Sequence, residues 1–202
     1  MAIWRESRPL ILASQSRVRQ LLLANAGLSC EAIPAAIDER AIQRSSGLTT
    51  AGEVAVRLAR EKARQVSLRS PGRYVVGADQ TLECDGRLFN KPRSRERAVA
   101  HLRALSGRTH ALHAGVSVMR DDTPLFEHVS VARMTMRELN EDTIKAYLDA
   151  AGDAATASVG AYQLESLGIH LFSRIEGDHF TILGLPLLPL LAFLRAQRLL
   201  SL

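Results

Sequence analysis

Short apolar runs separated by polar turns set the pattern of this chain. Pro9-Leu10-Ile11-Leu12-Ala13 is apolar throughout and of strand length, which reads as a short buried strand. Ser14 and Ser16 follow, and a helix is predicted from about Arg17 to Ala26, closed by Gly27 where glycine favours helix ends. A second strand, roughly Cys30 to Pro34, leads into a polar loop, "AAIDERAIQRSSG". Thr49 or Thr50 then caps a long helix with Glu53 in its first turn. Tyr74 to Phe89 reads as a hairpin turned at Asp85-Gly86. A helix follows from about Ser94 to Leu105, ended by Gly107. Thr109 to Met119 and Leu125 to Met136 alternate like paired strands around "RDDTP". Asn140 caps a helix to about Ala150, "AAGDAATASVG" reads as a small-residue loop, and Ile169 to Ile175 as a strand. A terminal helix begins near Pro186. Strands and helices alternate with two hairpins, no repeat and no linker, which predicts one α/β domain over residues 1–202 with a mixed sheet.

The long helix carries an anomaly. At about 100° per residue, Ala51, Ala55, Leu58, Ala59 and Val66 share one face, and Lys62 falls among them. Arg57, Arg60 and Arg64 lie opposite. A lysine on the apolar side must meet an anion or snorkel out to water.

Charge narrows the choice of ligand. The formal net charge is +5, and arginine supplies nearly all of the positive side. Guanidinium groups pair well with phosphate oxygens, whether of a nucleotide or of nucleic acid, so charge alone does not choose. Aromatic residues make up 4% and are not interleaved with the basic ones, which argues against a base-stacking nucleic-acid platform. Cys30 and Cys84 lie far apart with no metal-ligand spacing and read as reduced thiols. The N-terminal apolar run is too short for a signal-peptide core or a membrane span, and the proline- and arginine-containing C-terminal one suits a packed amphipathic helix. A cytoplasmic protein without membrane attachment is expected.

Candidate chemistry gathers at several places along the chain. Ser14-Gln15-Ser16-Arg17-Val18-Arg19 sits where a strand gives way to a helix N-terminus, where open N–H groups, hydroxyls and guanidiniums make a phosphate cradle. The plainer reading is a serine N-cap with solvated arginines. Asp79 ends the Val75-Val76 strand after Gly77-Ala78, at the edge where α/β sheets present carboxylates to ligands. Asp38-Glu39 adds acidic oxygens of the kind that hold Mg²⁺ jointly with substrate phosphates, or it is a solvated acidic pair. The hairpin returns Lys91, before Pro92, toward Asp79. Gly160-Ala161-Tyr162, Glu165 and "RIEGD" form a weaker late cluster. No Walker, HExxH or GxSxG pattern is present, which disfavours a P-loop ATPase, a zinc hydrolase and a serine hydrolase.

Taken in order, these segments resemble the Maf family of nucleoside triphosphate pyrophosphatases, once described as septum formation inhibitors. "LILASQSRVRQLLLANAG" is similar to the family's opening segment, "IDER" to its acidic loop and "RLAREKA" to its Glu-Lys-Ala helix. "VVGADQTLECDGRLFNKP" resembles its central hairpin, "LRALSGRTHALHAGV" its Ser-Gly-x-Thr-His segment and "GAYQLESLGIHLFSRIEGDHFTILGLPL" its late signature. The resemblance implies a mixed twisted sheet with flanking helices in two lobes around a cleft, related to the inosine triphosphate pyrophosphatases. It implies hydrolysis of the α–β phosphate bond of a nucleoside triphosphate with a divalent metal, Mg²⁺ or Mn²⁺, and a homodimer. Position by position it makes Asp79, Glu39, Lys62 and Lys91 catalytic, with Asp79 and Glu39 as metal ligands, and Ser14, Ser16 and Arg19 phosphate-binding.

Departures from the family pattern bear on the substrate. Gln80 stands where many members have threonine, and Glu165 where the commonest pattern has glutamine. That pairing resembles the subfamily acting on 7-methyl-GTP rather than the one acting on dTTP and UTP. Val18 departs from both, so Gln80, Glu165 and Val18 are the candidate specificity positions. The competing classes are a dTTP/UTP pyrophosphatase and a non-catalytic, basic nucleic-acid-binding or division-control protein.

Overall fold

The apolar runs become strands of one seven-stranded sheet in the computed structural model, which describes residues 3–45, 47 and 50–202. The strands are β1 (Leu10–Leu12), β2 (Cys30–Ala32), β3 (Val75–Cys84), β4 (Arg87–Phe89), β5 (Thr109–Arg120), β6 (Thr123–Met136) and β7 (Phe172–Glu176). Their order is β2-β1-β3-β5-β6-β7, with β4 attached to β3. β1 runs parallel to β2 and β3, and the remaining pairs are antiparallel, so the sheet is mixed. Around it lie α1 (Arg17–Asn25), α2 (Glu39–Ser45), α3 (Ala51–Ser67), α4 (Arg95–Leu105), α5 (Glu141–Ala151), α6 (Ala154–Ala157), α7 (His179–Ile182) and α8 (Leu187–Ala196).

One edge of β3 is served by two different strands. β1 pairs with its beginning, at Val75 and Val76. β4 pairs with its end, from Leu82 to Cys84. Residues 77 to 81 lie between the two with β5 alone as a strand partner. That interval divides the protein into two lobes and opens the cleft.

Side-chain alternation then sorts the core. On one face, Val76 and Ala78 join Leu12, Leu23, Val116 and Leu190 beneath α1 and α8. On the other, Val75 joins Ile11, Ala63 and Val66 beneath α3. In the second lobe Leu82, Leu102, Leu112, Met134, Ile144 and Leu148 pack with α4 and α5.

Helix α3 lies unusually close to the sheet because both surfaces are stripped of side chains. A Cβ added at Gly77 would stand 2.0 Å from the Ala59 carbonyl oxygen, and one at Gly115 would stand 2.5 Å from the Ala55 carbonyl carbon. Opposite these glycines α3 presents Ala55, Ala59 and Ala63, all buried. Glycine inside a strand permits such backbone approach. Thr50 starts the helix with a reciprocal capping box to Glu53, while Thr49 lies outside the described residues.

Several expectations needed correction. The "IDER" loop is helix α2: the Asp38 carboxylate accepts the Ala41 N–H (3.0 Å) and so caps it. The small-residue loop after α5 forms α6 and a 3₁₀ turn, Val159–Ala161. The strand expected from Ile169 starts only at Phe172, because Leu167–Leu171 winds into 3₁₀ turns with Ile169 exposed. Helix α7 was not foreseen; its four residues are too few for a periodic signal. At the C-terminus α8 buries Leu187, Leu190 and Leu194, and among the described residues no helix is long and apolar enough to cross a membrane.

Candidate active site

Asp79 sits at the middle of the interval on β3, paired with Gly115 of β5. It does not end its own strand, which runs unbroken to Cys84. The strand that ends there is β1, so the carboxylate faces a crevice formed by its neighbour's stop. By alternation Asp79 shares the face of Val75 and Gly77, the face covered by α3. Lys62 reaches it from that helix.

The Lys62 ammonium stands 2.5 Å from Asp79 Oδ1 and 2.6 Å from Glu39 Oε1. Lys62 and Asp79 are nearly buried, whereas the Glu39 side chain, in the first turn of α2, is 51% exposed. The lysine on the apolar stripe has therefore met anions rather than snorkelled. Burial pushes the Asp79 carboxyl above its ordinary range, and Lys62 and Arg19 pull it back down.

Arg19 closes the other side. It is buried; its Nε donates to the Gly184 carbonyl (2.7 Å) and its Nη1 to the Ala78 carbonyl (2.7 Å) and Ser14 Oγ (3.3 Å). The Ala78 carbonyl belongs to the edge of β3 that lacks a neighbouring strand there, so a guanidinium replaces the missing ladder bond. Its Nη2 donates to no described residue. Burial lowers the Arg19 pKa, Asp79 and Glu39 oppose that, and a guanidinium remains charged regardless. Ser14 Oγ also accepts the Ser16 N–H (3.2 Å), and Ser16 caps α1 by accepting the Arg19 N–H (3.4 Å). The plain N-cap reading holds for Ser16. The first-turn N–H groups of Arg17 and Val18 have no intrahelical partner, and both residues line the cleft.

The cleft has a volume of about 720 Å³, within the range of small-molecule sites. Lys91, Glu165, Gln80 and Val18 all line it. Lys91 comes back to the cleft that Asp79 lines, as the hairpin suggested, but without an ion pair to it. β4 ends at Phe89, the Lys91 side chain is exposed, and among the described residues it has no ion pair with Asp79. Pro92 has no N–H to donate to a ladder, so the pairing does not continue past it. Gln80 faces the opposite side of β3 from Asp79, and its amide nitrogen donates to the Thr181 (3.1 Å) and Ile182 (2.9 Å) carbonyls. It thus pins α7. "RIEGD" stands apart from the cleft: Arg174 pairs with Glu176 (2.7 Å), and Asp178 caps α7. Arg57, Arg60 and Arg64 pair with Glu61, Glu127 and Asp122, so they are engaged within the chain.

Two features of the site were missed in the sequence. Gly77 and Gly115 let α3 come close enough for Lys62 to reach Asp79, and glycine within an apolar strand was the available signal. Arg40 and Gln43 enter the cleft wall only because the acidic loop is a helix.

Two carboxylates that converge on one ammonium fit a hard cation shared with substrate phosphates, since Mg²⁺ needs only one or two protein carboxylates. Among the described residues no group of three or more His, Cys, Asp or Glu could hold a metal without such sharing.

This cleft, with a helix N-terminus on one side and a Lys–carboxylate cluster on the other, is carried by a chain whose residues 9–197 match the profile of the Maf-like protein family, and the chain belongs to that family. It is 84% identical, over the full length of both chains, to a nucleoside triphosphate pyrophosphatase of Nitrobacter winogradskyi. It is 52% identical to a 7-methyl-GTP pyrophosphatase of Rhizobium etli over 92% of this chain and 94% of that one. A solved HAM1 protein from Coxiella burnetii overlaps 63% of this chain and 72% of its own, with a TM-score of 0.43 and 22% identity.

Proposed function

We propose that the chain hydrolyses a nucleoside triphosphate to the monophosphate and pyrophosphate, with the reaction centred on Asp79. The observation that carries this reading is the nearly buried Lys62 held between two carboxylates beside Arg19. Phosphoryl transfer asks mainly for positioning and for charge stabilisation. Arg19 Nη2, the open N–H groups at the start of α1 and Lys62 are donors suited to phosphate oxygens. Asp79 or Glu39 would accept the proton of the attacking water as its oxygen bonds to the α-phosphorus and pyrophosphate departs. Mg²⁺, or Mn²⁺ in its place, would be held by Asp79 and Glu39 and would neutralise charge on the phosphates.

For the base we favour a modified purine. The Glu165 carboxylate, exposed in the cleft lining, is an acceptor for N–H groups of a guanine edge. The relative named 7-methyl-GTP pyrophosphatase supports the same choice.

The test is pyrophosphate release with Mg²⁺ from dTTP, UTP, GTP, 7-methyl-GTP, ITP and CTP, with and without chelator. Turnover abolished by chelator and fastest on 7-methyl-GTP is the expected result. Preference for dTTP or UTP overturns the substrate assignment. Turnover on none of them overturns the enzymatic reading.

A further inference from the structure

Behind the cleft wall that carries Glu165 lies a polar pair the chemistry above does not use. His110, on β5, is 2% exposed, and its Nε2 is 2.7 Å from the Tyr162 hydroxyl. The same hydroxyl lies 3.6 Å from Met134 Sδ. His110 Nδ1 is buried and has no partner among the described residues. A buried imidazole with one nitrogen unsatisfied costs stability, so its retention asks for a compensating role.

The backbone in front of the pair is strained. Gly160 has φ 77° and the next residue, Ala161, has φ 66°. A left-handed alanine is strained and persists only where its surroundings enforce it. Three contacts enforce it here. The Tyr147 hydroxyl donates to the Ala161 carbonyl (3.2 Å). The Tyr162 hydroxyl meets His110. The Tyr162 ring stands edge-on to Phe172, with centroids 4.8 Å apart. The chain that emerges from this bracket, Ser158 to Glu165, supplies Val159, Tyr162, Gln163 and Glu165 to the cleft.

We propose that His110 is a positioning residue for nucleoside recognition, acting through Tyr162 to hold the Ser158–Glu165 wall in its substrate-binding shape. This rests on the pyrophosphatase reading and extends it to a residue that does not line the cleft. The phosphate side of the cleft is built from α1, β3 and α3 and contains none of the bracket. Loss of the His110–Tyr162 bond should therefore weaken the hold on the nucleoside and leave that on the phosphates intact.

The experiment compares the unsubstituted enzyme with His110→Phe, His110→Gln and Tyr162→Phe. Each is assayed for kcat and KM on the preferred nucleotide and for inhibition by inorganic tripolyphosphate, a probe without a nucleoside. Losing one buried hydrogen bond should raise the nucleotide KM about tenfold in His110→Phe and Tyr162→Phe. In His110→Phe kcat should stay within about threefold, tripolyphosphate inhibition should be unchanged, and His110→Gln, with an amide to meet the hydroxyl, should recover part of the loss. Tyr162→Phe keeps the ring and its packing, so it provides the same reading should His110→Phe fail to fold. A nucleotide KM unchanged in every folded variant, or a KM that moves together with tripolyphosphate inhibition, overturns the proposal. Absence of turnover in the unsubstituted enzyme overturns the pyrophosphatase reading itself.

Discussion

The two walls of the cleft are held by different physics. On the wall proposed to hold the phosphates, Arg19, Lys62 and Asp79 project from α1, α3 and β3 and are fixed by hydrogen bonds and ion pairs over backbones in near contact. On the wall proposed to hold the nucleoside, Glu165 is exposed, and the Ser158–Glu165 segment keeps its shape through a few side-chain bonds behind it; Lys91, at the end of the β3–β4 hairpin, is exposed as well. The reacting groups are thus preorganised by the core, where electrostatic stabilisation needs no rearrangement. The selecting groups stand on a segment that can change without disturbing them. A protein of this design can alter its substrate while keeping its reaction.

The largest predicted effect breaks the rigid wall at its base. Gly77→Ala drives a methyl into the α3 backbone, where the Ala59 oxygen is 2.0 Å and the Ala63 nitrogen 2.7 Å from the new carbon. Denaturant unfolding should show a loss of about 3 kcal/mol, the upper part of the overpacking range. A loss below 0.5 kcal/mol would mean that α3 is free to lift, and the wall is not rigid.

Protonation strains the other wall. Burial lowers the His110 pKa from 6.5 to about 4. Between those values the unfolded chain binds the proton and the folded protein does not, so stability falls as pH drops from 6.5 toward 4 and is fully present above 6.5. The contribution is about 3 kcal/mol. Burial depresses His101 and His113 as well, in the same direction. Thermal melts from pH 4 to 7 should show a steeper acid-side decline than those of His110→Gln, and equal slopes would contradict it.

Smaller effects separate the walls in activity. Lys91→Ala should lower kcat/KM about tenfold, the low end for a charge-assisted bond from an exposed group. A loss as large as that from removing Asp79 would place Lys91 on the rigid wall after all. Glu165→Gln should shift the ratio of purine to pyrimidine turnover by less than tenfold, with kcat on the better substrate little changed. A collapse of kcat on every nucleotide would assign Glu165 to the chemistry.

The rigid wall was the more legible one in the sequence. Lys62 announced itself as a charge on an apolar stripe, Asp79 as a carboxylate at the apparent end of a buried strand, although the strand runs on past it, and Ser16 and Thr50 as caps. All depend on local periodicity or capping, which one segment carries by itself. The hairpin turn signalled that Lys91 returns to the cleft, but not that β4 would stop two residues short of it and leave it without an ion pair to Asp79. The helical state of "IDER" was missed because a seven-residue helix shows too little periodicity against polar composition. Gln80, a candidate specificity position, also ties down α7, a helix about a hundred positions away, which no local pattern signals. The His110–Tyr162 bond joins residues 52 apart, and no local pattern signals it.

The most direct test of the account is pyrophosphate release by the purified protein beside its Asp79→Asn variant, with folding checked by circular dichroism. The account predicts metal-dependent release that falls by about 10²–10³ in kcat when the carboxylate is removed, with the fold intact. Release at an undiminished rate from a folded Asp79→Asn protein would contradict it, because the reacting centre would then lie elsewhere than on the open edge of β3.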